Sequence, residues 1–465
     1  MKLTFWGAAQ TVTGSQHLLE LDNGKKMLLD CGLFQGRRED AKKLNTEFSA
    51  DPSEIDFVLL SHAHIDHSGL LPRLYRDGFR GCIYCTHATY DLCALMLRDS
   101  AYIQQKDVEF FNRKIRKKKQ TEIEPLYEME DAEGVLEHFV SMPYDYPFKP
   151  CEGLEVRYRD AGHILGSATM TLTVTESRKE KRLGFTGDIG NPDRPILNDP
   201  AKMLDVDWLI CESTYGGRTH EPVGKAKDKL AKVLTRTAAR GGKVIIPAFA
   251  VGRTQELVHA LDQLWNEDRI PQIPVFVDSP LAVNVTGVFQ AHPECYDRDL
   301  LDYMLTDPNP FGFERLEYVR DVARSKELNT MKVPMVIISA SGMAEAGRIL
   351  HHLRNNVEDP KNTVMIVGYQ AEHTLGRRIV EKRPEIKIFG ESHKLKAEVV
   401  VMNYFSAHAD EPGILDFTSK LDRERLQTIF LVHGDLDRQE ILSAAMNEVG
   451  YRDVRILERG EVVVL

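Results

Sequence analysis

The run Phe57-Val58-Leu59-Leu60 is short and continuously apolar, and Ser61-His62-Ala63-His64-Ile65-Asp66-His67 follows it directly. An apolar run of this length reads as a strand buried on both faces. Leu70–Tyr75, just beyond, reads as a helix. Strand, polar loop and helix in that order is where α/β folds present their chemistry. Here the loop carries His62, His64, Asp66 and His67. A lone histidine has many structural uses, but this density is costly unless a metal is bound. Imidazole and carboxylate are the ligands zinc takes where one coordination position stays open to water. His62 and His64, two residues apart, can converge on one ion. Asp66 and His67, one step on, can face a second.

Three later segments place a ligand type at or near a strand end. Gly162-His163-Ile164-Leu165-Gly166-Ser167 holds a histidine between glycines, Phe185-Thr186-Gly187-Asp188 supplies a carboxylate able to bridge two ions, and Leu431-Val432-His433 repeats the first pattern. Asp30, ending Met27–Leu29, is placed to orient a ligand and not to be one. The seven cysteines show no disulfide-framework spacing and read as reduced thiols of a cytoplasmic protein. Cys82 and Cys85 flank a strand-like Ile83-Tyr84 and are expected as buried free thiols, not as a further zinc site.

The chain has 465 residues, a length that suggests about three domain-sized units. With 42% hydrophobic and 28% charged residues it reads as an ordinary soluble globular protein. The polar N-terminus does not read as a signal peptide, and no apolar run is long enough to cross a bilayer. A net charge of -10 removes global attraction to nucleic acid, so a polyanion must be held by a local basic surface or by metal ions. The basic run Arg113–Lys119, followed by an acidic stretch from Glu122 to Glu137, reads either as a solvated helical excursion or as a lip that touches phosphates.

The first third alternates short strands and loops, and Asn23-Gly24 between His17–Leu21 and Lys26–Leu29 is a hairpin signal. From Val244 the text changes. Val244–Ile246, Val275–Val277, Met335–Ile338 and Val364–Val367 are strand candidates, with helical stretches Arg253–Trp265 and Arg315–Leu328 between them. This is a parallel βαβ pattern with its own core. Strand-rich text returns at Val399–Val401, Thr428–Val432 and Val462–Leu465. The expectation is a domain built from residues 1–208 and 396–465, interrupted by an insertion at 209–395.

The His62-x-His64-x-Asp66-His67 core, with His163, Asp188 and His433, strongly resembles the metallo-β-lactamase superfamily. The resemblance implies an αββα sandwich binding two zinc ions. One is held by His62, His64 and His163, the other by Asp66, His67 and His433, with Asp188 bridging. Glu212 after Leu209–Cys211, His408 in Tyr404-Phe405-Ser406-Ala407-His408, and His433 resemble the three extra motifs of the β-CASP nucleases. In that family an inserted parallel α/β domain separates the first motif from the others. Phe249–Arg253, Ser339–Met343 and Gly368-Tyr369-Gln370 look like parts of it. Histidine at the third position resembles the RNA-acting members, where the DNA-repair branch has valine. The nearest likeness is to bacterial and archaeal homologues of the endonuclease subunit of the mRNA cleavage and polyadenylation factor. The room left at either end does not suit the C-terminal domain of RNase J or an N-terminal KH extension.

The implied activity is hydrolysis of single-stranded RNA by a metal-bridged hydroxide, endonucleolytic by the nearest likeness, leaving 3′-hydroxyl and 5′-phosphate ends. Asp66, Glu212 and His408 are the catalytic candidates, with His408 the general acid and Glu212 holding it protonated. Ser339, Ser341 and Gly342, in a small-residue turn expected to open a helix, and Arg253 near a helix start, are candidate contacts to RNA. Arg348 is a further candidate charge, His351 and His352 read as surface or interface residues, and His373 stands where relatives are expected to have glycine. A homodimer is compatible with this reading. The alternatives are a thioester or lactone hydrolase, a DNA nuclease, and a catalytically silent RNA-binding scaffold.

Overall fold

The computed structural model describes residues 1–36, 38–116, 122–176, 178–220, 226–368, 370–402 and 406–465. Residues 117–119 of the basic run, Tyr369, Tyr404 and Phe405 lie outside the described residues. Two compact units emerge. The first comprises Met1–Pro192, Asn198–Thr219 and Ala407–Leu465, and the second Asp193–Leu197 and His220–Ser406.

The first unit is built on two mixed seven-stranded sheets. One runs in the order Glu461–Val464, Lys2–Phe5, His17–Glu20, Lys26–Leu29, Phe57–Leu59, Cys82–Thr86 and Phe139–Met142. The other runs Val454–Ile456, Thr428–Val432, Trp208–Glu212, Lys179–Phe185, Ala168–Glu176, Leu154–Asp160 and Phe148–Cys151. Asn23 and Gly24 turn the chain between His17–Glu20 and Lys26–Leu29, which pair antiparallel with His17 opposite Leu29. Leu3, Phe5, Leu19, Met27, Leu29, Phe57 and Leu59 from the first sheet pack with Tyr158, Met170, Leu172, Phe185, Ile210 and Phe430 from the second. Burying such side chains is worth roughly 1.5–3 kcal/mol each, which makes this layer the main support of everything at its rim. A second cluster, with Leu209, Cys211, Ile429 and Leu431, packs with Ile414 and Phe417 from Glu411–Ser419 and Leu442 and Met446 from Leu436–Glu448.

The second unit holds a six-stranded, all-parallel sheet in the order Leu316–Tyr318, Val275–Val277, Met335–Ser339, Lys243–Pro247, Thr363–Ile366 and Glu398–Val401. Its central strands, Lys243–Pro247 and Met335–Ser339, are buried at every residue, as strands covered on both faces must be. The insertion therefore has the parallel architecture expected of it.

Three details differ from the sequence reading. Val399–Val401 pairs with Thr363–Ile366 in this parallel sheet and not with the returning strands, while Trp208–Glu212 belongs to the first unit. The divisions accordingly fall near 219 and 407, not at 208 and 396. Arg315–Leu328 is not one helix. Leu316–Tyr318 is a strand beside Val275–Val277, and the helix begins at Val322. Cys85 is buried as expected, but Cys82 is exposed.

Close backbone approach sets one strict requirement. A Cβ built on Gly32 would lie 1.6 Å from the carbonyl oxygen of Asp66, and one on Gly190 would lie 1.9 Å from that of Gly162. Both pairs of segments carry or adjoin the histidine loops. Gly32→Ala is expected to cost ~1–3 kcal/mol or more, since the clash is with backbone that cannot repack. A urea unfolding midpoint equal to that of the unaltered protein would contradict this account.

Candidate metal centre

Strand ends deliver the site. His62, His64, Asp66 and His67 follow Phe57–Leu59, Asp188 follows Lys179–Phe185, Glu212 ends Trp208–Glu212, and His433 follows Thr428–Val432. Phe185 pairs with Ile210 and Glu212 with Val432, so three neighbouring strands finish nearly level. The carbonyl of Ser61 accepts the N–H of Ala168 at 2.9 Å, tying the rim of one sheet to the strand that follows His163. Within that loop Ser167 Oγ accepts the N–H groups of His163 and Ile164 at 3.0 and 3.2 Å. His408 is held from both sides. It bridges to Gly190, Ala409 N–H donates to Ile189 O, and the Asp410 carboxylate caps Glu411–Ser419 by accepting from Gly413 N–H.

Two donor groups result. His62 Nε2 lies 3.1 Å from His64 Nδ1, which lies 3.2 Å from His163 Nε2. Asp188 Oδ2 is 3.5 Å from His62 Nε2 and 3.4 Å from His163 Nε2. In the other group His67 Nε2 is 3.1 Å from His433 Nε2, and Asp66 Oδ2 is 3.6 Å from His433 Nε2. Asp188 Oδ1 sits 3.3 Å from His67 Nε2. The two oxygens of Asp188 thus face different groups, and Oδ1 has no hydrogen-bond partner among the described residues although it is buried. A third combination of donors, Asp188, Glu212, His408 and His433, is equally close.

These spacings fit zinc. Ligands ~2.0–2.1 Å from a tetrahedral ion lie roughly 3.3 Å apart. Without a cation, so many facing lone pairs could not all find protons. Protonation states agree. Burial pushes His62 and His163 well below the ordinary imidazole value and His64 down to about 4. Burial alone would raise Asp66 and Asp188, but His433 and His67 outweigh it, bringing Asp66 to about 2 and Asp188 well below its usual range. Neutral imidazole and ionised carboxylate are the metal-binding forms. His67 differs: burial lowers it, yet Asp188 and Asp30 outweigh burial and lift it well above the ordinary value. At this position proton and cation compete.

Asp30 is fully buried with φ of 61°, a backbone state unfavourable for a side chain with Cβ. Its carboxylate accepts Ser61 N–H at 2.8 Å, Ser61 Oγ at 2.9 Å and Ser15 Oγ at 3.1 Å, and faces His67 Nδ1 at 2.7 Å. A proton held on Nδ1 leaves His67 Nε2 bare toward His433 and Asp188.

Beside the donor groups stands an acid–imidazole pair. Glu212 Oε2 is 3.1 Å from His408 Nδ1, accepts Thr214 Oγ1 at 2.7 Å, and its Oε1 accepts Ile189 N–H at 2.5 Å. Glu212 is wholly buried, while the His408 side chain keeps 21% of its surface open. Burial would lower His408, but the Glu212 and Asp188 carboxylates outweigh it and raise it to about 9. Thr214 also lies 3.0 Å from His433 Nδ1, joining the pair to the second donor group. Sequence reading assigned no role to Thr214, Ser15, Ser61 or Ser167. The only signal was adjacency, since Ser61 precedes His62 and Thr214 lies two residues after Glu212.

The second unit's candidates fare differently. Arg253 is buried at the start of Arg253–Asn266, and Glu256 pairs with both it and Arg194. It is therefore already committed to an internal ion pair, not presented to solvent. Ser339 is buried, and its Oγ donates to Asp278 O at 2.7 Å. Ser341 Oγ accepts Glu345 and Ala346 N–H at 3.2 and 3.3 Å, and Gly342 lies against the Phe249 ring. The expected helix does not open here but at Ile349. Arg348 binds Asp278 at 2.6 Å. His352 is not a surface residue: it is fully buried, 2.6 Å from Asp278 Oδ2 and 3.0 Å from Asn329 Oδ1. The His351 ring lies tilted against Phe389, with centroids 4.7 Å apart, and His373 has φ of 69°.

Comparison with known proteins matches residues 18–180 to a metallo-β-lactamase superfamily domain, 254–379 to a β-CASP domain, and 392–457 to a zinc-dependent metallo-hydrolase RNA specificity domain. A ribonuclease of Thermus thermophilus is 36% identical over 438 residues, covering 94% of each chain. A transcription termination factor, FttA of Methanothermobacter thermautotrophicus, is 32% identical over 471 residues, 98% of this chain and 70% of that one. An RNase J-like protein of Methanocaldococcus jannaschii is 31% identical, with coverage of 96% and 94%. No helix among the described residues is long and apolar enough to cross a membrane. With its two mixed sheets, its parallel insert and its paired His/Asp donor groups, the chain belongs to the β-CASP branch of the metallo-β-lactamase superfamily.

Proposed function

We propose that this protein is a zinc-dependent endoribonuclease, with His62, His64, His163 and Asp188 holding one ion and Asp66, His67, His433 and Asp188 the other. The observation that carries the reading is the Glu212–His408 pair beside the two donor groups. Two zinc ions, when bound, supply Lewis acidity that activates water and neutralises phosphate oxygens. The chain's own part is proton traffic and orientation. Asp30 fixes the His67 ring, and Thr214 links Glu212 to His433. Protonated His408, its Nδ1 held by Glu212, turns its other nitrogen to the leaving ribose oxygen and donates a proton there. The leaving group of a thioester needs no such donor, so the pair favours a phosphodiester. The match of 392–457, which contains His408 and His433, to an RNA specificity domain favours RNA, as does the ribonuclease name of the Thermus relative.

End-labelled single-stranded RNA incubated with the zinc-loaded protein should yield internal cuts with 5′-phosphate ends. His408→Ala should slow cleavage by about 10²–10⁴-fold, the usual size of a general-acid contribution. RNA left intact under every metal condition, with thioester turnover, would falsify the reading. The pH profile gives a second test. A group acting as an acid is lost as pH rises through its pKa, so kcat/KM should fall on the alkaline side as His408, held protonated by Glu212, loses its proton. Removing the Glu212 charge removes the first of the interactions that raise it. Glu212→Gln should therefore move that alkaline limb to lower pH, and an unmoved limb would rule out the pair. Asp30→Asn should weaken zinc binding by about 10–100-fold, read by competition with a chromogenic chelator. Unchanged retention would show that Asp30 does not govern His67.

A further inference from the structure

The second unit buries an ion cluster around Glu256. One oxygen of its carboxylate takes Arg194 Nη2 and the other takes Arg253 Nη1. The Arg194, Glu256 and Arg253 side chains are only 5%, 8% and 8% exposed. Two cations and one anion so far from water recover their desolvation poorly, so pairing alone is a weak reason to bury them. Their geometry is a better one. Arg253 and Glu256 stand in the first turn of Arg253–Asn266, a helix buried at every residue from Arg253 to Asp262. A carboxylate fixed there holds the Arg194 guanidinium in one orientation. Arg194 Nη1 then donates to the carbonyl oxygen of Ser406. Ser406 lies two residues before His408 in the chain.

The residues that follow Ser406 are held by backbone. Asn191 N–H donates to Ala407 O at 3.2 Å and Ala409 N–H to Ile189 O at 2.7 Å, with His408 bridging to Gly190 between them. Arg194 supplies the anchor on the preceding side. We propose that Arg194, locked in place by Glu256, is a positioning residue for the general acid. Its grip on Ser406 O sets where the His408 backbone starts, and with it the reach of the imidazole from Glu212 to the leaving ribose oxygen. When the bond from phosphorus to that oxygen breaks, the oxygen takes the His408 proton and the ring ends neutral. Transfer over hydrogen-bond distance tolerates little misplacement, since about 1 Å costs roughly 10²-fold in rate. Arg194 therefore acts on the acid through the backbone. The proposal rests on the ribonuclease reading for its effect on rate, but not for the anchoring itself.

The test gives the zinc-loaded protein two RNAs of one sequence, the second with sulfur in place of the leaving 3′ oxygen at the mapped cut. A thiolate leaves without a proton, so a misplaced acid slows only the first. Arg194→Met leaves Glu256 paired with Arg253, so no carboxylate is stranded. It should lower kcat on the oxygen RNA by about 10–100-fold with KM unchanged, and spare the sulfur RNA. Arg194→Lys keeps the buried charge but has no fork to span Glu256 and Ser406 at once. Its kcat on the oxygen RNA should fall between the other two, and it keeps the test open should Arg194→Met not fold. Hydrogen exchange should show lost protection at Ala409 N–H in either variant. Equal losses on both RNAs overturn the positioning role, and so does no loss on either, or a raised KM with kcat intact. If the unaltered protein cleaves no RNA, the ribonuclease reading fails and exchange alone judges the anchor: protection lost upholds it, protection kept overturns it.

Discussion

The site depends on a buried carboxylate that binds nothing but the chain itself. Asp30 sits in a left-handed backbone conformation at the end of a strand, fully out of solvent, and takes three hydroxyl or amide donors together with His67 Nδ1. Its desolvation is offset only because every one of those donors is present. Ser61 N–H and Oγ come from the start of the histidine loop, so the same carboxylate fixes the loop's departure and the ring orientation six residues later. That anchor lies beneath imidazoles that face one another at 3.1–3.2 Å.

How much of this could be read from the residues depends on the range of the interaction. His62 to His67 announce themselves because four candidate ligands, three histidines and an aspartate, lie within one loop, and His163, Asp188 and His433 because each sits at or near a strand end. The parallel insert was legible from the apolar runs Val244–Ile246 and Met335–Ile338. Val399–Val401 was readable as a strand, but which sheet it joins is decided by Thr363–Ile366, far away in sequence. Leu316–Tyr318 sits in a stretch of helix formers and is extended because Val275–Val277 offers it a ladder. His352 looked like a surface residue because Asp278, which buries and pairs with it, is 74 positions distant. Hydroxyls such as Thr214 carry no sequence signal at all, since serine and threonine serve everywhere.

The two units solve different problems. The first uses two sheets to bring strand ends level around donors that repel one another. The second commits its candidate charges inward: Arg253 and Arg194 share Glu256, while Arg348 and His352 share Asp278. Such paired, buried ions stiffen a fold more than they present charge, and replacing one partner alone strands the other.

The wide spacing of the ligands along the chain has a consequence for synthesis. His62, His64, His163 and Asp188 all precede the insert, whereas His408 and His433 follow it. A growing chain that has passed Asp188 can gather the first donor group, yet its second group lacks His433, and His408 is not yet made. The strand that carries His433, Thr428–Val432, must also slot beside Trp208–Glu212, made some two hundred residues earlier. The complete centre therefore cannot exist until Thr428–Val432 and His433 have been made. By this order of parts, the first donor group can form while the second still waits for its last member.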